Sequence, residues 1–453
     1  LSPECNRILL KVVCALEILV VSREHALAIW QTAVMAVRPE PLVQAALATE
    51  TVVRNARRIL VVGAGKAGPG MAVGLETAFA DSLARIEGLV NVPAGMSAPL
   101  KRVRLHAARP QGVNEPTVQG VTGAEEMLRL LASAGPDDVA VCLLSGGGSA
   151  LLPAPPEGLD LADKLAVTKL LHRSGATIDE MNCVRKHLSR VKGGRLAEAF
   201  RGKLLLSLII SDVVGDPLDV IASGPTAPDP TTFRDAVAVV NKYNLRGVIP
   251  TAVLRHLDRG LGGELPETPK AVPANVVNRV LGSNRVALDA ARRQAELLGY
   301  RVIDLGAFVE GETREVAVAA AGIVRSIQRD GFPTAAPACV LMGGETTVTL
   351  GDKPGKGGRN QEFTLALIAK LGLAGIQGVT VLSGGTDGED GPTDAAGAVA
   401  DVDTLSTMNE LGLSAGDYLL RHDAYTLFNR VGGLLTPGLT GTNVMDVRVV
   451  LVR

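Results

Sequence analysis

Aromatic residues are scarce in this chain: 453 residues hold one tryptophan, four tyrosines and seven phenylalanines, so its cores have to be built from alanine, valine and leucine. Cysteine is equally sparse. Cys5, Cys14, Cys142, Cys183 and Cys339 are widely spread with no CxxC pair, which gives no basis for a disulfide framework or a zinc site and suits small core residues in a reducing, cytoplasmic setting. The six histidines lack HExxH spacing. Net charge is nearly absent, 46 lysines and arginines against 47 aspartates and glutamates, so no chain-wide basic field points to nucleic acid, and any phosphate site has to be local. No apolar run is long enough for a membrane: Ile8 to Val21 is interrupted by Lys11 and Glu17. Residues 1–21 are expected to be an N-terminal extension, ahead of a helix capped at Ser22.

Two familiar nucleotide and nucleophile signatures are also missing. There is no G-x-x-x-x-G-K-[ST], which excludes the usual P-loop kinase, and no G-x-S-x-G with a histidine in triad context, which argues against a serine hydrolase. What is present is globular composition, 47% hydrophobic and 21% charged, in a chain long enough for two domains of ~100–200 residues. From Ile59 short β-branched runs alternate with amphipathic stretches: strands over 59–63, 88–92, 139–145 and 204–212, helices over 70–80, 122–134 and 161–173. That βαβ rhythm predicts a mostly parallel, Rossmann-like sheet covered by helices, with ligands at the carboxyl ends of the strands. Further strands are expected at 276–282, 301–306, 338–344, 348–351, 379–385 and 396–401, after a Gly/Pro-rich break at 261–273. The division reads as a Rossmann-like domain over 22–262, a connecting α/β segment over 263–337 and a second α/β domain over 338–453.

Four segments share one design, an apolar strand running straight into glycines: VVGAGKAGPG (61–70), CLLSGGGSA (142–150), VLMGGETTV (340–348) and VLSGGTDGEDG (381–391). Glycine lets backbone N–H groups approach an anion closely, so four such turns in a chain without net positive charge point to phosphate or carboxylate binding. The first matches G-x-G-x-x-G, yet the acidic ribose reader after the next strand is replaced by Asn91, which weakens a dinucleotide reading. Lys66 inside that turn either neutralises an anion or is solvated. Ser145 and Ser149 read as hydroxyl donors beside anion-facing backbone. Asp212, Asp216, Glu345, Asp387, Glu389 and Asp390 sit in similar loops, where they serve Mg²⁺ and proton transfer or merely cap turns. Arg359, at a glycine-to-helix junction, can grip an anion bidentately or make a salt bridge. Lys186 and Lys192 lie in a run that also fits a solvated helix face.

SGGGSALLPAP (145–155), Asn182-x-x-Arg185-Lys186-His187-Leu188-Ser189 with KGG (192–194), SDVVGDPLDVIASGPT (211–226), GGETTV (343–348), GGRNQE (357–362), TDGEDGPTDAAGA (386–398) and GTNVMD (441–446) resemble the class II glycerate kinases, which end in a MOFRL domain. The resemblance covers the chain from about Arg23 onward. It implies two α/β domains with the active site in the cleft between them, and transfer of a phosphoryl group from ATP, with Mg²⁺, to D-glycerate, typically at the 2-hydroxyl. It carries catalytic roles onto Lys66 and Arg359. With the chemistry of the loops it yields a full assignment: Lys66, Arg359 and Asp212 catalytic; Ser145, Gly146, Gly147, Gly148, Ser149, Gly343, Gly344 and Asp387 on the nucleotide; Arg185 and Asn360 on the substrate; Asp212, Asp216 and Glu345 on Mg²⁺. A homodimer is a further expectation. One stretch departs from the family pattern: ARPQGVNEPTVQG (108–120) stands where many members carry a GHPxPD-like segment. An NAD(P)H-dependent hydroxypyruvate or tartronate semialdehyde reductase is the alternative enzyme, and a non-catalytic binding protein the alternative class.

Overall fold

The computed structural model describes residues 21–453 apart from 111 and 114; of the extension expected over 1–21, residues 1–20 lie outside the described residues and Val21 is helical. The chain divides into two compact units, one spanning Arg38–Gly282, the other combining the N-terminal residues to Val37 with Ser283–Arg453.

The Arg38–Gly282 unit is built on six strands: β1 (Ile59–Ala64), β2 (Ile86–Pro93), β3 (Val103–Arg109), β4 (Val139–Leu144), β5 (Leu204–Ile210) and β6 (Val276–Gly282). All five pairings are parallel, in the order β3-β2-β1-β4-β5-β6. β1 (ILVVGA) and β4 (VAVCLL) are buried along their whole length, which explains why they read as continuous apolar runs rather than alternating ones. The Rossmann-like parallel sheet expected from the βαβ rhythm is therefore present. β3 was not among the expected strands, because VRLHAAR interleaves Arg104 and His106 with its apolar positions and exposes its middle. Helix starts are set by side-chain caps: Thr117 accepts from the Gly120 N–H, and Asp160, Thr177 and Thr232 each form a reciprocal capping box with Asp163, Glu180 and Asp235. Helices 161–173, 178–187, 233–242 and 251–261 bury their apolar faces in a cluster of their own around Val184, Phe233 and Leu257.

The other unit carries β7 (Arg301–Asp304), β8 (Ala338–Gly344), β9 (Val379–Gly385), β10 (Gly397–Ala400), β11 (Leu434–Leu435) and β12 (Asp446–Val452) in the order β11-β10-β9-β12-β8-β7. Only β7 and β8 pair in parallel; β12 runs antiparallel between β8 and β9. Helix 21–36 belongs to this unit: the Trp30 indole N–H donates to the Gly384 carbonyl at 3.2 Å, Arg23 reaches Asp401 at 3.4 Å, and the Val37 carbonyl accepts from Thr442 Oγ1 at 2.7 Å. Ser22 lies inside that helix, not at its cap. The span expected as a connecting segment is shared: β6 completes the parallel sheet, while 283–337 supplies β7 and two helices to the second. VTLG (348–351) is not a strand. Thr347 alone bridges to Glu312, and the Thr349 N–H turns to the Glu312 carboxylate with Leu350 left exposed. Among the described residues no helix is long and apolar enough to cross a membrane.

Candidate active site

In the parallel sheet the strand order reverses between β1 and β4, so the loops leaving these two strands border the crevice where open α/β sheets hold ligands. The loops are stitched together. The Lys66 N–H donates to the Gly146 carbonyl at 2.9 Å, the Ser145 N–H to the Ala64 carbonyl at 3.1 Å, and the Ala67 N–H to Ser145 Oγ at 3.0 Å. Gly65 is required by this approach, since a Cβ there would stand 2.0 Å from Ser145 Oγ. Ser145, expected on the nucleotide, is thus a buried brace between the loops. Gly147 has φ 76°, a left-handed conformation that glycine adopts without strain. A Cβ at that position would lie 3.4 Å from Arg109 Nη2 and 3.8 Å from Lys66 Cγ, so two cationic side chains flank the glycine turn.

Arg109 was missed as a site residue, although it sits in the stretch that departs from the family pattern. It is buried, its Nη1 donates to the Val113 carbonyl, and among the described residues its Nε has no hydrogen-bond partner. Burial pushes its pKa down. Asn91, which replaces the acidic ribose reader, is fully buried and spends its amide on the Gly120 and Leu151 carbonyls at 3.3 and 2.7 Å.

Beyond the glycine turn, Ser149 Oγ accepts from Arg185 Nη2 at 2.5 Å and Lys192 Nζ at 3.0 Å and bonds Ser223 Oγ at 2.9 Å. Ala222 and Ser223 both hold positive φ, 52° and 61°. Strain of this kind costs about 1–3 kcal/mol per residue and concentrates at functional sites. The solvated-face reading of the lysine run fails, because Lys186 and Lys192 are both 2% exposed. Lys186 is balanced by Asp219 at 3.1 Å and Asp229 at 3.3 Å. Asp212 and Asp216 follow β5 and are half-buried, Asp216 at φ 55°.

The second unit holds a different centre. Arg359 opens helix Arg359–Gly375 and meets Asp446, the first residue of β12, through Nε at 2.7 Å and Nη2 at 3.0 Å, while Nη1 reaches Glu345 at 3.0 Å. The anion gripped bidentately is therefore the protein's own carboxylate. Asp446 is fully buried and also accepts from Arg448 Nη2 at 3.0 Å and Asn360 Nδ2 at 2.8 Å. Burial alone would raise its pKa; Arg359 and Arg448 outweigh burial and hold the carboxyl below its ordinary value. Burial acts against Arg359 as well, yet Asp446 and Glu345 raise its pKa. Asp390, fully buried, accepts the Asn360 and Gln361 N–H groups at 3.0 and 2.9 Å, and desolvation pushes its pKa up to about 7.

Four of the expected site residues are tied into contacts within the protein. Asn360 is fully buried with its amide taken by Asp446, Asp390 and Ser383, so it orients the carboxylates rather than meeting a substrate. Glu345, expected on Mg²⁺, pairs with the Arg359 guanidinium at 3.0 Å. Gly343 and Gly344 answer to packing: a Cβ on them would collide with Asn284 Oδ1 and the Val309 backbone, and the Gly343 N–H donates to Gly306. Asp387 is half-buried and its Oδ1 caps the Glu389 N–H at 3.2 Å. Among the described residues no three His, Cys, Asp or Glu side chains gather as a metal cage.

Residues 25–258 match the family described as a domain of unknown function (DUF4147), and residues 338–446 match the MOFRL family. A glycerate 2-kinase of Pyrococcus horikoshii is 40% identical over 87% of each chain, and the mouse glycerate kinase 37% identical over 95% of this chain and 93% of its own. A putative hydroxypyruvate reductase of Agrobacterium vitis is 43% identical over 87% of each chain. The crystal structure of a glycerate kinase from Thermotoga maritima superposes with a TM-score of 0.86 at 35% identity, covering 96% of this chain and all of that one. The parallel sheet with its paired glycine turns and the Arg359–Asp446 centre are thus set in a chain that belongs to the MOFRL-containing glycerate kinase family.

Proposed function

We propose that this chain transfers the γ-phosphoryl group of ATP to the 2-hydroxyl of D-glycerate, giving 2-phosphoglycerate and ADP. The observation that carries this reading is the Gly146–Gly148 turn at the strand-order reversal, with the Arg109 guanidinium and the stem of Lys66 close to Gly147. Phosphates on that turn would meet backbone N–H groups and two cations in a protein without net positive charge. Lys66 draws charge off the transferring group, and Arg359, locked in orientation by Asp446, keeps the catalytic role that the family resemblance carries onto it. Positioning and electrostatic stabilisation supply most of phosphoryl-transfer catalysis, so fixed cations are the parts such a site needs.

Asp212 and Asp216 would hold Mg²⁺. A pair of loop carboxylates without a protein-only cage suits an ion that takes one or two carboxylates and completes its shell with water and phosphate oxygens. When bound, the ion neutralises charge on the β- and γ-phosphates. Asp212, two residues beyond β5, would also accept the proton of the substrate hydroxyl. Ser149 and Arg185 would face the organic acid.

Purified chain supplied with ATP, Mg²⁺ and D-glycerate should release ADP, with NMR placing the phosphate on the 2-oxygen. NAD(P)H-dependent reduction of hydroxypyruvate without ADP release would favour the reductase reading, which the names of the Agrobacterium vitis relatives keep in view. The occupied amide of Asn91, where a dinucleotide enzyme places an acid on the ribose, supports the kinase instead. The thiols of Cys142 and Cys183, buried and unpaired with burial pushing their pKa to about 12 and about 11, fit the cytoplasm we propose as its location. A homodimer is proposed from the same reading and is tested by light scattering.

A further inference from the structure

Ser149 stands between two cations that no carboxylate balances among the described residues. Arg185 Nη2 donates to its Oγ at 2.5 Å, and Lys192 Nζ donates to its Oγ at 3.0 Å, to its carbonyl at 2.8 Å and to the Ala222 carbonyl at 3.4 Å. A third cation, Lys164, is buried close by with Nζ on the Leu188 carbonyl at 2.5 Å. The charged groups that bear most on Lys192 and Lys164 are positive: Arg185, Lys164 and Lys186 for the first, Arg185 and Arg190 for the second. Burial followed by this repulsion pushes Lys192 well below its ordinary pKa and Lys164 down to about 7. Lys186, one residue along the helix from Arg185, shows the usual remedy, a pair of aspartates.

A buried charge is costly unless it is paired, so an incoming anion would be stabilised beside Arg185 and Lys192. The guanidinium of Arg185 has five N–H donors in a fixed plane, of which the Ser149 and Asn182 bonds use two. A planar fork beside an ammonium matches the two coplanar oxygens of a carboxylate, whereas phosphates have the neighbouring glycine turn with Lys66 and Arg109. Resting on the kinase reading, we propose that Ser149, Arg185 and Lys192 form the seat for the acceptor's carboxylate, the feature that separates a small hydroxy acid from a neutral polyol. Lys192 is the new member of the set, and Lys164 supports it from behind by raising the local positive potential.

The test is calorimetric titration of the whole chain with D-glycerate, glycerol and ATP in turn, for wild type, Lys192→Met, Arg185→Met and Ser149→Ala. The expected result is glycerate binding weakened by about 10–100-fold in Lys192→Met and Arg185→Met, with ATP affinity kept, which also certifies folding. Should Lys192→Met not fold, Ser149→Ala, a smaller change, carries the same expectation. Loss of ATP binding with glycerate affinity kept would reassign the seat to a nucleotide phosphate and overturn the proposal, and unchanged binding of both ligands would overturn it outright. A wild-type chain that neither binds nor phosphorylates glycerate defeats the kinase reading. In that case tartronate is the probe: binding that Lys192→Met abolishes keeps the seat, and absence of binding sinks it.

Discussion

Arg359 and Asp446 are joined by two parallel hydrogen bonds, Nε to Oδ2 at 2.7 Å and Nη2 to Oδ1 at 3.0 Å, with the carboxylate fully buried and the guanidinium reaching on to Glu345. The pair ties the first turn of helix Arg359–Gly375 to the start of β12, between β8 and β9. Arg448 leans on the same carboxylate and leaves its Nε and Nη1 without hydrogen-bond partners, its guanidinium lying 5.1 Å from the Phe363 ring centre. One aspartate thus balances two arginines.

Asp446→Asn should therefore destabilise the protein by about 3–5 kcal/mol, the usual cost of removing one partner from a buried ion pair. Urea unfolding of the variant against wild type measures it. A midpoint that does not move would mean the two arginines are satisfied by other groups, and Arg359 would then be free to serve an external anion.

The glycine turns separate packing from ligand binding. A Cβ on Gly63 would stand 2.1 Å from the Leu143 carbonyl oxygen of the adjacent strand, so Gly63→Ala should fail to give soluble folded protein. At Gly147 the nearest atoms are ordinary contacts at 3.4 and 3.8 Å, and only the left-handed φ of 76° opposes a side chain, a cost of about 1–2 kcal/mol. Gly147→Ala should fold with a modestly lower Tm and bind ATP more weakly in calorimetry. Full ATP affinity in that variant would remove the turn from the nucleotide site.

Lys66→Ala should lower kcat/KM for D-glycerate by about 10²–10³-fold, the range seen when a preorganised electrostatic partner of the transition state is removed. Its fold should hold, because the bond that braces the two turns comes from the Lys66 backbone N–H to Gly146 and survives in alanine. Coupled ADP-release kinetics with a melting curve decide it. Unaltered turnover would exclude Lys66 from the chemistry.

How much of this was legible in the sequence depended on where a residue's partner lay. β1, β4, β5, β8 and β9 announced themselves because strands buried on both faces are unbroken apolar runs, and the glycines at their ends marked the turns. β12 passed unread although VRVVLV is plainly apolar, because its meaning lies in Asp446 and Arg448, a buried ion pair two residues apart. Helix 21–36 was placed with its sequence neighbours. Its tryptophan instead bonds to Gly384, a contact across more than three hundred residues that no local pattern carries. Arg185 and Arg359 were picked out by residue type and position. That Arg359 already holds a carboxylate and Arg185 does not follows only from what the fold brings beside each.

Lys164 offers a pH test of the buried cations. Desolvation, with Arg185 and Arg190 nearby, lowers its pKa from 10.5 to about 7. The unfolded chain keeps that proton up to about 10.5 and the native chain only up to about 7, so between these values unfolding takes up protons and stability rises with pH. The slope has an upper limit of about 1.4 kcal/mol per pH unit. Lys164→Met removes the titrating group, so the wild-type minus variant difference in unfolding free energy, taken at intervals from pH 7 to 9, should climb with pH. Loss of the bond to the Leu188 carbonyl shifts that difference by a constant and leaves its slope alone. A difference that stays flat across this range would show that Lys164 titrates near its ordinary value, and that the positive charge around Ser149 is already balanced.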